Sequence, residues 1–199
     1  MRFDHQLYEE DVTAPYLIRR YVSDQSDYET LYSITDRAEG DPAFIFNVTM
    51  QNHSSYAQGW NNLEKTITLP TEQRTADTTA EQYLSLMRAS DDALRDLIAH
   101  YEQSPEPTMI VFFGDHQPPL KNAFYEQLYG KPLDQRTTEE VLKQYATPFF
   151  LWTNYDIQER EDVVLSPNYL GVLTAKAAGL PLTGFMSFLS QLYEELPVL

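Results

Sequence analysis

Two histidines and an aspartate stand directly behind apolar runs, where their lone pairs could serve a cation or a phosphoryl group. The first such stretch is Thr108-Met-Ile-Val-Phe-Phe-Gly-Asp-His-Gln-Pro-Pro119. Met109 to Phe113 form a continuous apolar run, as expected of a strand buried on both faces of a parallel sheet. Gly114 ends it, Asp115 and His116 follow at once, and Pro118 and Pro119 forbid the strand from continuing. A carboxylate beside an imidazole at the carboxyl end of a strand can hold a divalent metal, since both groups lend lone pairs. Taken alone, Gly-Asp-His is equally compatible with a turn and a surface histidine. The second run, Ala43-Phe-Ile-Phe-Asn-Val-Thr-Met50, reads as another buried strand and delivers Gln51, Asn52, His53, Ser54, Ser55 and Tyr56. Thr49, Ser54 and Ser55 flank His53, but a hydroxyl nucleophile needs an activating base or metal within reach, and nothing in the sequence places one there.

The remaining segments must position these groups. Residues 1 to 22 carry Pro15 and no clear period, and read as irregular structure leading into Tyr21-Val22. Ser23 is an N-cap candidate for a helix whose first turn holds Asp24, Asp27 and Glu29, with Gly40-Asp41-Pro42 as its stop. Residues 57 to 79 read as an excursion, with a short strand at Thr66 to Leu69. Thr78 or Thr79 caps a helix from Ala80 to about Gln103, whose Tyr83, Met87, Leu94, Leu97, Ile98 and Tyr101 recur at helical spacing and are expected in the core. His100, near its C-terminus, reads as a surface residue compatible with the helix dipole rather than a ligand. A short helix follows from Lys121 to Gly130, and another from Thr137 or Thr138 through Tyr145. Pro148 to Thr153 is the third strand, then Ser166-Pro167 opens a helix closed by Gly179, and a last helix runs from Thr183 to about Glu194. The alternation predicts an α/β fold, a mostly parallel central sheet flanked by helices.

Composition narrows the partners. The chain has 199 residues, 42% of them hydrophobic and 13% aromatic, which argues against disorder despite a net charge of −16. The acidic balance leaves no basic stripe for nucleic acid, yet does not exclude anionic substrates, because a bound cation reverses the local field. With no Cys there is neither a disulfide framework nor thiolate chemistry, which fits a cytosolic or an extracytoplasmic bacterial protein. No apolar run reaches the ~18 residues of a membrane span, and the polar N-terminus is no signal peptide. The chain itself is therefore expected to be soluble, with no targeting signal.

Three stretches together resemble the C-terminal part of the sulfatase-like domain of lipoteichoic acid synthases and related bacterial phosphoglycerol transferases, in the alkaline phosphatase superfamily. They are Phe46-Asn-Val-Thr-Met-Gln-Asn-His-Ser-Ser-Tyr56, Val111-Phe-Phe-Gly-Asp-His-Gln-Pro-Pro119 and Tyr145-Ala-Thr-Pro-Phe-Phe-Leu-Trp-Thr-Asn-Tyr155. Arg20-Tyr-Val-Ser-Asp24 and Pro167-Asn-Tyr-Leu170 are further landmarks, so the resemblance covers nearly the whole chain. It implies that residues 1–199 form a single C-terminal portion of a larger catalytic domain. It implies that Asp115 and His116 ligate a divalent metal, typically manganese, and that His53 contacts the phosphoryl or glycerol-phosphate group.

The threonine nucleophile and an upstream acidic ligand of such enzymes belong to the N-terminal half of the domain and are not seen here. The resemblance thus implies no catalytic nucleophile in this chain, and little activity for it alone. The parent would act on a phosphoglycerol lipid or polymer at the extracytoplasmic face of a bacterial membrane. Two alternatives stay open: a sulfatase- or phosphodiesterase-type hydrolase, and a non-catalytic binding module that kept the fold. A half-domain should also leave a sheet edge open, so a homo-oligomer through that edge is expected.

Overall fold

In the computed structural model, residues 3–36, 41–70 and 79–198 are described; Gly40 and Thr78, a helix stop and a cap candidate, lie outside the described residues. The chain forms two compact units, one of Met1–His100 with His116–Ala146, the other of Tyr101–Asp115 with Thr147–Leu199.

The first unit is built on two helices, α1 (Asp24–Thr35) and α2 (Thr79–Glu102), preceded by a hairpin of β1 (Leu17–Ile18) and β2 (Tyr21–Val22). Ser23 caps α1 as its residue type suggests: its hydroxyl accepts from the Ser26 amide at 3.2 Å. Ser23→Ala should lower stability by about 1 kcal/mol, read as a shift of the urea midpoint at constant slope. Tyr56, Ala80, Leu86 and Leu120 form the core, with Ile18, Leu63, Leu69, Tyr83, Phe124 and Tyr125 packed against it. Phe124 and Tyr125 come from α3 (Asn122–Tyr129), which Gly130 ends at φ +66 with the Lys131 amide donating to Glu126 O at 3.1 Å. The short α4 (Thr138–Leu142) opens with a reciprocal cap between Thr137 and Glu140.

The second unit holds β3 (Met109–Phe113), β4 (Phe149–Thr153), α5 (Leu170–Ala177) and α6 (Gly184–Glu195). Its helices share a core of Tyr169, Val172 and Leu189. Thr183 caps α6 by accepting from the Met186 amide at 3.2 Å, and Gly179 closes α5 at φ +67.

The α/β class holds, and the helices fall where periodicity and caps put them. Strand direction differs from expectation. Among the described residues both pairings are antiparallel, β1 with β2 and β3 with β4, where a mostly parallel sheet was expected. For β3 and β4 the reason is where the chain leaves and returns. Phe113 pairs with Phe149, and the intervening excursion is pinched at its base. There the Gly114 amide donates to Pro148 O at 3.1 Å, and the Thr147 hydroxyl donates to Gly114 O at 2.8 Å. A chain that departs and re-enters at one end of a strand must run back antiparallel.

Ala43–Met50 is not the expected buried strand: residues 41–50 have no regular secondary structure, are exposed and join no ladder. An apolar run makes a buried strand only where a sheet and a covering layer flank it, and the described residues supply neither. Thr66–Leu69 is not a strand either. Its backbone donors go to α2 side chains, Ile67 N–H to Ser85 Oγ at 3.1 Å and Leu69 N–H to Glu81 Oε1 at 3.0 Å. On α2 the expected core residue Met87 is 38% exposed, and Leu86, one position earlier, is fully buried. His100 is half-buried and stacks on Tyr32 at 3.8 Å, joining α2 to α1.

Candidate functional site

His53 lies in a loop that a single buried arginine gathers. Arg19, 4% exposed, occupies the turn between β1 and β2 at φ +59. Its guanidinium donates to Ser55 O at 3.0 Å, Gln51 O at 2.6 Å and His53 O at 2.7 Å. It also lies over the rings of Tyr21 and Tyr56, 5.3 and 5.5 Å from their centroids. A non-glycine residue in the left-handed region costs on the order of 1 kcal/mol, which the fork of charge-assisted bonds offsets. Asn62 latches the same hairpin, donating to Leu17 O and Arg19 O at 3.0 and 2.9 Å.

The other side of the loop is tied to both helices. Gln51 is 1% exposed; its side-chain oxygen accepts from the Asp24 amide at 3.0 Å and its amide nitrogen donates to Ser90 Oγ at 3.0 Å. Asn52 donates to the same Ser90 Oγ at 2.7 Å, and Ser90 in turn donates to the Asp24 carboxylate. Burial pushes the Asp24 carboxyl up to about 6; the Ser90 hydrogen bond opposes the shift and the charge of Asp27 adds to it. Tyr56 completes the loop by donating to Asn52 O at 2.7 Å.

His53 itself is exposed, and its Nδ1 sits 2.9 Å from Ser54 O and 3.1 Å from the Tyr21 hydroxyl. A carbonyl only accepts, so the contact with Ser54 O favours the Nδ1–H tautomer of a neutral ring, the form in which Nε2 carries the lone pair. In His116, Nδ1 likewise lies 2.9 Å from the Gln117 carbonyl oxygen. That is the usual way a histidine is oriented toward a metal through Nε2. Asp115 and His116 are both exposed, directly after the pinned Gly114, whose added Cβ would meet Thr147 Cβ at 3.2 Å. The chain therefore offers one carboxylate and one imidazole in sequence, each a fit ligand for a divalent cation. Among the described residues no group of three or more His, Asp or Glu gathers closely enough to hold an ion.

Sequence reasoning singled out His53, Asp115 and His116 as candidates and did not point to Arg19, Gln51, Ser90 or Asp24 as the residues that seat the His53 loop. A buried arginine in a turn has no local signature, and the pairing of Asp24 with Ser90 spans 66 residues.

The fold is α/β of the type seen in a solved phosphoglycerol transferase. The structure of Streptococcus pyogenes GacH in complex with sn-glycerol-1-phosphate matches with TM-score 0.66 and 17% identity, over 96% of this chain and 46% of that one. At that identity the likeness is one of fold. The chain belongs to the sulfatase family, whose model matches residues 2–180. It is 27% identical over 205 residues to a Rhizobium meliloti (strain 1021) protein named provisionally for cyclic beta-1,2-glucan modification, covering 99% of this chain and 32% of that protein. It is 31% identical over 103 residues to the capsular polysaccharide biosynthesis protein RkpI of the same organism, covering 51% of this chain and 17% of that protein. The chain thus spans a third or less of the curated relatives it matches. Among the described residues no helix is long and apolar enough to cross a membrane.

Proposed function

We propose that residues 1–199 are the C-terminal portion of a larger sulfatase-like catalytic domain, and that the parent is a metal-dependent phosphoglycerol transferase. The observation that carries this reading is the His53 loop, clamped by Arg19 with Nε2 left available. The fold shared with a phosphoglycerol transferase supports it. In this reading Asp115 and His116 supply two ligands to a divalent cation, manganese by preference, and further ligands come from another segment of the parent. Such a cation would offset charge on the non-bridging oxygens of a phosphodiester. His53, with Nδ1 held by Ser54 O, would accept a proton at Nε2 or, once protonated, donate it to a leaving alkoxide. The nucleophile is a threonine of the parent, so this chain alone is inactive. The substrate is a phosphoglycerol lipid or polymer of the lipoteichoic acid kind, at the extracytoplasmic face of a bacterial membrane.

A manganese titration followed by thermal unfolding tests the metal half-site. A ligand that binds only the folded state adds about 2.7 kcal/mol at a hundredfold excess over Kd. The wild type should shift upward, and Asp115→Ala and His116→Ala should not. A wild type that ignores manganese removes the half-site from this chain.

The family match also fits a sulfatase- or phosphodiesterase-type hydrolase, which would use the same pair of ligands. The other reading is a non-catalytic binding module that kept the fold. Hydrolysis of a simple phosphodiester by the parent, abolished by Asp115→Asn, would remove the binding-module reading. Self-association follows from the exposed apolar run, in which Phe44 is 66% and Phe46 59% exposed. We expect a dimer or larger species in sedimentation, returned to monomer by Phe46→Asp.

A further inference from the structure

Beside the His53 loop lies a small pocket of about 50 Å³, lined by Arg19, Arg20, Ser54, Ser55, Gln58 and Trp60 and open to solvent. Its lining is unusual for this chain. The molecule carries 30 acidic residues against 14 basic ones, yet two arginines and no Asp or Glu line the pocket among the described residues. Its polar groups are mostly donors. Arg19 spends three of its N–H groups on the carbonyls of residues 51, 53 and 55, and its Nε is buried with no acceptor. The indole Nε1 of Trp60 is likewise buried with no acceptor. An indole N–H and a guanidinium N–H can only donate, and buried donors without partners are rare unless a ligand or water completes them. The hydroxyls of Ser54 and Ser55 and the amide of Gln58 can add donors. Arg20 is exposed and already braced, donating to the Tyr21 hydroxyl at 2.8 Å, so its charge is held near the pocket rather than free to sweep solvent.

We propose that this pocket binds a tetrahedral oxyanion, a phosphate or phosphomonoester group, and that it does so without a cation. Two positive charges, two buried N–H donors without partners and the hydroxyls of Ser54 and Ser55 suit an anion whose four oxygens accept in several directions, as neutral polyol or carbohydrate hydroxyls alone would not require. Because Arg19 both lines the pocket and clamps the His53 loop, an anion here would tighten the loop that presents His53.

The test is a calorimetric titration with inorganic phosphate in the presence of a chelator, repeated with sn-glycerol-1-phosphate and with glycerol. Arg19 is left intact, since its removal would unseat the loop. The wild type should bind phosphate saturably at one site and glycerol not at all. Arg20→Ala should weaken phosphate binding by about tenfold or more, the loss of a charge-assisted contact. Trp60→Phe, which keeps an aromatic ring and removes the N–H, should weaken it several-fold. Heat that chloride reproduces at equal ionic strength, or unchanged binding in Arg20→Ala, would overturn the pocket. Equal affinity for both phosphates assigns it to any phosphate group, and preference for the monoester to a substrate headgroup; both support it. Since chelator is present throughout, a protein that ignores manganese but binds phosphate loses the metal reading and keeps this one.

Discussion

Replacing Arg19 by alanine should lower stability by roughly 3–5 kcal/mol, the range for leaving several buried polar groups without partners. The guanidinium serves three carbonyls of one loop, and no second cation reaches them among the described hydrogen bonds. Alanine would also sit at φ +59 with nothing to offset the strain. Arg19→Lys is the sharper variant. It keeps one charge but loses the planar fork, so it can reach one carbonyl where the arginine reaches three, and burial disfavours its charge. We expect it to recover less than half the loss. Amide hydrogen exchange should report faster opening for residues 51–56 than for α2 in both variants. A lysine variant as stable as the wild type would mean the fork does not hold the loop.

The second large effect is a pH dependence at Asp24. Its folded-state carboxyl titrates at about 6, against an ordinary value of 3.8, chiefly because it is buried. The sign follows from the direction. The fold favours the protonated form, so the contribution of Asp24 to stability is fully present below about pH 4 and is lost as pH rises through about 6. Above that, holding the ionised group in the interior costs on the order of 3 kcal/mol. Asp24→Asn removes the titration. The stability of the Asn variant minus that of the wild type should therefore climb between pH 4 and pH 7 by an amount of that order. Paired urea titrations at several pH values measure it, and a difference that stays flat across the window would refute the assignment. The carboxylate accepts from Ser90, the same hydroxyl that takes the Gln51 and Asn52 amides. Stability is given up at neutral pH, and the loop is moored to two helices in return.

What could be read from residues alone divides along physical lines. Caps and periodicity are local, so Ser23 and Thr183 open their helices and Gly130 and Gly179 close theirs, as their types require. The chemistry-bearing residues behind the apolar runs were also legible, because a carboxylate or imidazole behind Phe113 or Met50 stands out against hydrophobic surroundings. Burial was not legible from apolarity. Ala43–Met50 has the composition of a core strand and is exposed, since a strand's burial depends on neighbours that the run cannot specify. Strand direction was hidden for the same reason: Phe113 meets Phe149 through bonds at Gly114 and Thr147, and no local pattern announces a pinched excursion. The β1–β2 hairpin escaped notice because its turn uses Arg19-Arg20 where Asn or Gly usually gives the signal. The seat of His53 was hidden because it is assembled from residues 19, 24, 51 and 90.

The two compact units are interleaved along the chain, which passes from one to the other after His100, after Asp115 and again after Ala146. A genetic crossover after Asp115 would split both units, parting β3 from β4 and α3 from the core it covers; one after His100 would split only the first, and one after Ala146 only the second. The one cut of these three that damages both units falls at the Asp115–His116 peptide bond.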